Sequence, residues 1–279
     1  MNDIIGIRGG GDISTGVAWR LHKSGFRVYI MEIEKPLMVR RTVCFAQAVI
    51  DSEATIEGVT AKLDVKASLE GFEKLWCDNL IPIIIDPSGA SIEIIKPIAV
   101  VDGILAKKNL GTKKEMAKIT IGLGPGFTAG EDVSYVVETK RGHYLGKVID
   151  IGKAIPDTGI PENVLGYTSE RVLRAPENGI FFSDKNIGDS VLSGEIIGNI
   201  RNSEIDDPVF AGINGVLRGL IADGTEVPKG MKIADIDPRN EDKYCYSISD
   251  KARAVGGGVL EAIMRGLLVK TCQEGVLCK

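Results

Sequence analysis

The chain has 279 residues, 44% of them hydrophobic and 26% charged, with a formal net charge of −4, which fits a globular protein of two or three domains. Lys+Arg of 34 against Asp+Glu of 38, with no dense basic run, excludes a general nucleic-acid surface. Two histidines exclude a His-rich metal site, and the apolar stretches fall far short of the ~20 residues a membrane span needs.

The first residues hold no basic stretch running into a long apolar one, so no signal peptide is expected. Five scattered cysteines, an odd number, suit free thiols in a reducing cytoplasm better than a disulfide framework.

Residues 3–8 read as a short apolar strand, followed by Gly9-Gly10-Gly11. A helix over 12–24 places Ile13, Val17 and Leu21 on one face, and Gly25 stops it. A second strand over 26–31 ends at Glu32. Strand, glycine loop, helix, strand and terminal acid is the Rossmann order, in which glycines admit a phosphate to the helix N-terminus. The fingerprint departs from the pattern: its third position is Ser14, and Asp12 opposes a pyrophosphate. Glu32 stands about 20 residues beyond the loop, where an acid grips a ribose diol. Alternatively, Asp12 caps the helix and the glycines make a tight turn.

Arg40-Arg41-Thr42-Val43-Cys44-Phe45 reads as a local basic cluster. Its arginines suit a phosphate or neighbouring carboxylates, and they favour a thiolate at Cys44, which is otherwise a buried inert thiol. Asp64 is expected to cap a helix with Val65, Leu69, Phe72 and Trp76 on one face. Ile81–Ile85 and residues 98–101 read as buried strands ending at Asp86 and Asp102. Glu32, Asp86 and Asp102 thus follow the carboxyl ends of strands, the ligand-binding edge of an open parallel sheet. Each can equally cap its own turn.

A strand over 119–123 runs into a loop holding Gly124, Pro125, Gly126 and Gly130, a candidate anion nest that lacks the ending of a P-loop. A strand over 133–139 leads to a turn with His143, either a surface hydrogen-bonder or a candidate catalyst. Residues 152–170 read as a long irregular connection.

Residues 179–236 repeat on themselves at an offset of 36: Gly179, Gly188, Val191, Gly194, Ile197 and Ile200 fall on Gly215, Gly224, Val227, Gly230, Ile233 and Ile236. Two such β units suggest a small flattened barrel of the barrel-sandwich-hybrid kind. The junction 201–210 has no lysine, which argues against a lipoyl or biotin carrier. A last helix over 250–269 presents Ala252, Val255, Val259, Ile263 and Leu267 on one face. Its Gly256-Gly257-Gly258 costs about 1 kcal/mol per residue against alanine. It is expected to receive a close backbone or a ligand, with Gly257 the sensitive position, where the helix packs back on the N-terminal domain near the 124–130 loop. Cys272 and Cys278 read as free thiols.

The expected fold is therefore an α/β Rossmann-like domain (1–110), a β-rich connection (111–170), a barrel-sandwich-like repeat domain (171–245) and a C-terminal helix (246–279).

Several of these segments together resemble a known family. They are Ile7-Arg8-Gly9-Gly10-Gly11-Asp12-Ile13-Ser14-Thr15-Gly16-Val17-Ala18, Arg40-Arg41-Thr42-Val43, residues 123–130, residues 138–143 and residues 249–254. They resemble the YqeB family of selenium-dependent molybdenum hydroxylase system proteins, across essentially the whole chain. The first segment also resembles xanthine dehydrogenase accessory proteins, which handle molybdenum cofactor. The resemblance implies a maturation factor whose partners are a molybdenum hydroxylase or other maturation proteins. It carries no catalytic residues over.

Three functions are compatible with this reading. The first is a cytoplasmic factor that binds molybdenum cofactor or a nucleotide through Arg8, Gly9, Gly10, Gly11, Asp12, Ser14, Glu32, Arg40, Arg41, Asp86, Asp102, Gly124 and Gly126. The second is an NAD(P)-dependent oxidoreductase with His143 or Tyr135 as proton donor. The third is a non-catalytic docking scaffold. Homo-oligomerisation and any catalysis stay open.

Overall fold

A computed structural model describes residues 3–64, 67–203 and 206–273, with side chains to residue 268. It divides into two units: Met1–Pro36, Phe45–Asp157 and Ile248–Lys279 form the first, and Leu37–Cys44 with Thr158–Ser247 form the second.

In the first unit the strands are β1 (Ile4–Arg8), β2 (Arg27–Glu32), β3 (Glu53–Ile56), β4 (Val59–Leu63), β5 (Ile81–Ile85), β6 (Ala99–Asp102) and β7 (Ile119–Leu123). They are followed by β8 (Thr128–Ala129), β9 (Tyr135–Val137), β10 (Val148–Ile149) and β11 (Gly152–Lys153). The helices are α1 (Asp12–Lys23), α2 (Ala48–Asp51), α3 (Leu69–Cys77), α4 (Ser91–Ile95) and α5 (Asp250–Gln273). Nine strands make one sheet in the order β10-β9-β7-β6-β1-β2-β5-β4-β3, and β8 pairs with β11 apart from it. The interior neighbours run parallel, while β3 and β10 close the two edges antiparallel.

Both faces of this sheet are covered, as a parallel sheet requires. Ile5, Ile7, Val28 and Ile30 point to the face that holds Val17 and Leu21 of α1 and Val255, Val259 and Ile263 of α5. Ile4, Tyr29 and Met31, one residue out of phase, point to the face that holds Phe72 of α3 and Ile92 and Ile95 of α4. The continuous apolar strands of the sequence follow from that double burial. Helix α3 begins at Leu69 and is capped by the Ser68 side chain, which accepts from Gly71 N, instead of by Asp64. Val65 lies outside the described residues.

In the second unit β12 (Val172–Arg174), β13 (Gly179–Phe182), β14 (Ser190–Val191) and β15 (Ile196–Arg201) precede β16 (Asp206–Phe210). Then come β17 (Gly215–Leu220), β18 (Glu226–Val227) and β19 (Lys232–Asp237). The 36-residue offset maps β13, β14 and β15 onto β17, β18 and β19. Each copy lends its short middle strand to the other, since β13 pairs with β18 and β17 with β14. Two separate four-stranded antiparallel sheets result, β12-β19-β17-β14 and β16-β15-β13-β18, around a core that includes Phe181, Ile200, Leu217 and Ile236.

The expected Rossmann-like domain joined to a barrel-sandwich-hybrid-like domain is thus corrected. A Rossmann sheet orders its parallel strands 3-2-1-4-5-6. Here β5 lies beside β2 with β4 outside it, two antiparallel strands make the sheet mixed, and no α-helix joins β6 to β7. That face is covered instead by α5, from the other end of the chain. In the second unit the offset also carries β12 onto β16, which pair at equivalent registers with β19 and β15, and the two halves form two separate open sheets.

Helix α5 meets its neighbours through glycine. A Cβ on Gly256 would stand 2.9 Å from Gly16 O of α1, and one on Gly16 would stand 2.6 Å from Ala252 Cβ. One on Gly258 would collide with Gly146 O. The expectation for Gly257 is corrected: a Cβ there meets nothing within 4 Å. No helix among the described residues is long and apolar enough to cross a membrane.

This packing ranks three glycine variants. Gly257→Ala stabilises the chain by about 0.5–1 kcal/mol by relieving a helical glycine, whereas Gly16→Ala and Gly258→Ala each destabilise it by about 1–3 kcal/mol through overpacking; urea melts of the three variants check the order. A second prediction concerns β19, where Asp237 is buried against Arg239 at 2.6 Å and Arg218 at 3.6 Å. Burial works against its carboxylate, but the Arg239 hydrogen bonds and both guanidinium charges outweigh it and hold the pKa below the ordinary value. A carboxyl depressed in the folded state stabilises above its unfolded pKa, near 4, and loses that contribution as pH falls through the folded value. Melts therefore weaken as pH falls below about 4, and Asp237→Asn is less stable at neutral pH by at least about 1 kcal/mol with a shallower acid slope.

Candidate functional site

The carboxyl edge of the large sheet carries the candidate site. The chain leaves β1 for β2 on one side, and β6 pairs on the other, so β1 and β6 flank a topological switch point, the place where open α/β sheets bind ligands. Arg8 and Asp102 lie opposite each other in register there.

The switch point is filled by a buried polar cluster. Arg8 Nη1 donates to Thr112 Oγ1 and stands 3.4 Å from Asp102 Oδ2, and Nη2 donates to Pro87 O at 3.4 Å. Thr112 Oγ1 donates to Asp102 Oδ2 at 2.5 Å, while Asp102 Oδ1 accepts from Ile104 N at 3.1 Å. All three side chains are buried. The cluster pins the 103–112 loop against the end of β1. Thr112 is a residue that sequence reasoning missed, because nothing in a lone threonine announces a buried partner ten residues back.

The glycine loop lies beside this cluster. Gly9 has φ +90 and comes within 3.2 Å of Ile104 N, counted from its ideal Cβ, so a side chain there would displace the 103–112 loop. Gly10 N donates to Glu32 Oε2 at 2.7 Å, and Ile33 N donates to Glu32 Oε1 at 2.8 Å. Glu32 thus braces the glycine loop with the two oxygens expected to hold a ribose. Gly10 O accepts from Ala46 N and Thr15 Oγ1, and Ser14 Oγ donates to Gly103 O. Gly11 is the N-cap of α1, in extended backbone, with no side-chain cap and no atom within 4 Å of where a Cβ would stand. The first turn of α1, with partly exposed Gly11 and Asp12, is the open end of this loop.

Asp86 gathers the turn that leads into α4. Its Oδ1 accepts from Ser88 Oγ, Gly89 N and Ala90 N, and its Oδ2 accepts from Ser91 N at 2.8 Å. Burial opposes the charge, but these donors prevail and hold its pKa below the usual carboxylate value.

The second glycine loop follows β7. Gly124 and Gly126 have φ +73 and +116. A Cβ on Gly124 would collide with Thr139, and one on Gly126 would stand 2.8 Å from Lys108 N. The loops after β1, β6, β7 and β9 therefore abut at one edge: Gly9 on Ile104, Gly126 on Lys108, Gly124 on Thr139. Lys107 and Lys108 are exposed there, and Lys107 pairs with Asp157 at 2.6 Å. The doublets Lys107-Lys108 and Lys113-Lys114 around Gly111 were the signal in the sequence for a basic loop at this edge. Glu138, also missed, is buried and accepts from Lys140 N at 2.7 Å and Ile155 N at 2.8 Å, which ties down the 138–155 segment.

The remaining candidates lie elsewhere. Arg40 and Arg41 belong to the second unit. There Arg40 Nη2 donates to Tyr244 O at 2.9 Å and Arg41 Nε to Leu220 O at 2.8 Å. Cys44 is buried, with Sγ 3.1 Å from Arg40 O. His143 is exposed, its ring 5.0 Å from that of Tyr144. Cys278 and the side chain of Cys272 lie outside the described residues. Among the described residues no group of three or more His, Cys, Asp or Glu side chains could hold a metal ion.

The geometry makes Arg8 a structural cation. Arg8→Met leaves the buried Asp102 without its charge partner and costs about 3–5 kcal/mol. The double variant Arg8→Met with Asp102→Asn recovers part of that loss, as equilibrium denaturation of the three proteins would show.

No family model matches the sequence. The chain is 51% identical over 263 residues to the uncharacterized protein YqeB of Escherichia coli strain K12, covering 94% of this chain and 48% of that protein. It thus spans about half the length of the curated relative it matches. Among solved structures, an aspartoacylase family protein from Mesorhizobium loti aligns with 85% of each chain at 9% identity and a TM-score of 0.28. The product-bound ectoine utilization protein EutE from Ruegeria pomeroyi aligns with 83% of this chain and 56% of that one, at 9% identity and a TM-score of 0.24. Likeness at that level carries no argument about fold or function. Identity of 51% along nearly the whole sequence does carry one, and the chain belongs to the YqeB family.

Proposed function

We propose that the first unit binds a phosphate-bearing ligand at the carboxyl ends of β1 and β6, with the phosphate on the first turn of α1. The observation that carries this reading is Gly11: it begins α1 without a side-chain cap, in open space, at the switch point of the sheet. Helix N-termini at such points offer backbone N–H groups and a partial positive charge to an anion. Exposed Lys107 and Lys108 add positive charge on a neighbouring loop of the same edge.

The ligand class proposed is the one implied by the resemblance to accessory proteins of molybdenum hydroxylases. Molybdenum cofactor carries a phosphate, and so does a nucleotide form of it. The chain then acts in the cytoplasm as an accessory factor that holds the cofactor for a selenium-dependent molybdenum hydroxylase or for another maturation protein. Arg8, Asp102 and Thr112 shape the edge; Glu32 holds the glycine loop open; Asp86 fixes the turn beside it.

The test separates binding from folding. Gly11→Asp places a carboxylate at the N-cap, a residue that stabilises helices there, in space that accepts a Cβ. The variant is expected to melt at or above the wild-type temperature and to lose binding of molybdenum cofactor, guanosine nucleotide and inorganic pyrophosphate in calorimetry. Gly11→Ala keeps binding, while its melting temperature falls slightly because alanine is a poorer N-cap than glycine. Wild-type protein that binds none of the three probes, or Gly11→Asp that binds them unchanged, overturns the reading.

A further inference from the structure

The two sheets of the second unit differ in what covers their outer sides. On β19, Asp235 and Asp237 are buried beneath an ion network: Arg171 reaches Asp235 at 2.6 Å, and Arg218 and Arg239 reach Asp237. Arg171 also donates to Glu162 O, which draws the 158–171 connection over that sheet. The sheet β16-β15-β13-β18 has no comparable cover among the described residues.

Its outer side carries exposed apolar side chains beside the charged Arg201, Asp206 and Glu226. Phe181, Ile197, Ile200 and Val209 point into the core, so Ile180, Phe182, Ile196 and Phe210 point out. Ile180 is 41% exposed, Ile196 50% and Phe210 52%. Ile196 and Phe210 face each other across β15 and β16. Beside them lies a groove of about 370 Å³, walled by Phe182, Ile196, Gly198 and Asn199 and bordered by Asp184, Lys185, Arg201 and Asp223. A Cβ on Gly198 would stand 2.5 Å from Phe182 O.

The charges of the groove do not cancel. Lys185 is matched by Glu195 at 2.5 Å, and Arg201 by Asp206 at 3.1 Å. Asp184 and Asp223 form no ion pair among the described residues; Asp223 accepts only a backbone hydrogen bond, from Ser183 N at 2.8 Å. Arg201 lies over the Phe182 ring at 5.1 Å, so two acids in this mixed groove fit a second long basic side chain whose stem lies along Ile196 while its head meets the carboxylates.

We propose that this sheet face docks a partner protein through a segment presenting an arginine or lysine between apolar residues. The basic side chain enters the groove toward Asp184 and Asp223, and the flanking apolar residues cover Ile196 and Phe210. The inference is independent of the phosphate site in the first unit.

The test uses the full chain and a short fluorescein-labelled peptide with one arginine flanked by leucines, followed by anisotropy. The peptide is expected to bind, and its analogue with citrulline in place of arginine to bind about tenfold more weakly or worse, as loss of a paired interfacial charge dictates. Asp184→Asn combined with Asp223→Asn should erase the difference between the two peptides, and the fold survives because an amide oxygen still accepts from Ser183 N. Ile196→Ser with Phe210→Ser should abolish binding while melting as the wild type does. Absence of binding at millimolar peptide, equal binding of both peptides, or variants that bind normally would each overturn the proposal. So would a dimer in sedimentation velocity that dissociates in the Ile196→Ser, Phe210→Ser protein, because a second copy would then be the occupant.

Discussion

A parallel sheet must be covered on both faces, and in the first unit that requirement organises the rest. The connection from β6 to β7 offers no α-helix. The sheet face is completed by α5, drawn from residues that follow the whole second unit in sequence. The fit depends on backbone meeting backbone: Gly16 against Ala252, Gly256 against Gly16, Gly258 against Gly146. Without Cβ atoms at these positions α5 lies close enough to bury Val255, Val259 and Ile263 with the strands. The intrinsic cost of glycine in a helix is offset by apolar area that a bulkier helix could not bury.

The same economy of space shapes the carboxyl edge. Four loops converge there because glycines admit their neighbours, and the buried cluster of Arg8, Asp102 and Thr112 fixes the one between β6 and β7. An ion pair of this kind is costly to bury and costly to break. Its value lies in position: it ties together β1, β6 and the loop carrying Lys107 and Lys108. The open end of the glycine loop is thereby set on a rigid frame, with Glu32 bracing it from β2.

The second unit solves its own problem by exchange. Two copies of one β motif each donate a strand to the other's sheet, and neither copy could bury Phe181 or Ile236 alone. The ion network on β19 then seals one outer face, while the other keeps Ile180, Ile196 and Phe210 exposed. Asymmetry between repeats that share their glycines and their core residues comes from the charged side chains: the offset sets Arg171, Arg218 and Arg239 against Asp207, Phe182 and Ser203.

Local physics was legible in the sequence. Helical periodicity marked α1 and α5, and continuous apolar runs marked β1, β2, β5 and β7, to within a few residues, because the helices bury one stripe and the strands are buried on both faces. The repeat appeared as matched glycines and valines, because identical turns need identical positive φ. The motifs were sufficient for the YqeB family. Tertiary structure alone decided the order of the nine strands, since pairing partners far apart in sequence leave no local mark. It decided that Glu32 and Asp86 hold backbone N–H groups near themselves, because a carboxylate takes whichever donors the fold brings within reach. It assigned Arg40 and Arg41 to the second unit, although they lie between two elements of the first. And it decided that Gly256 and Gly258, and not Gly257, receive other backbones: on a helix turning about 100° per residue these two glycines point to nearly opposite sides and meet different neighbours, Gly16 and Gly146, and which sides are crowded depends on where the helix is laid.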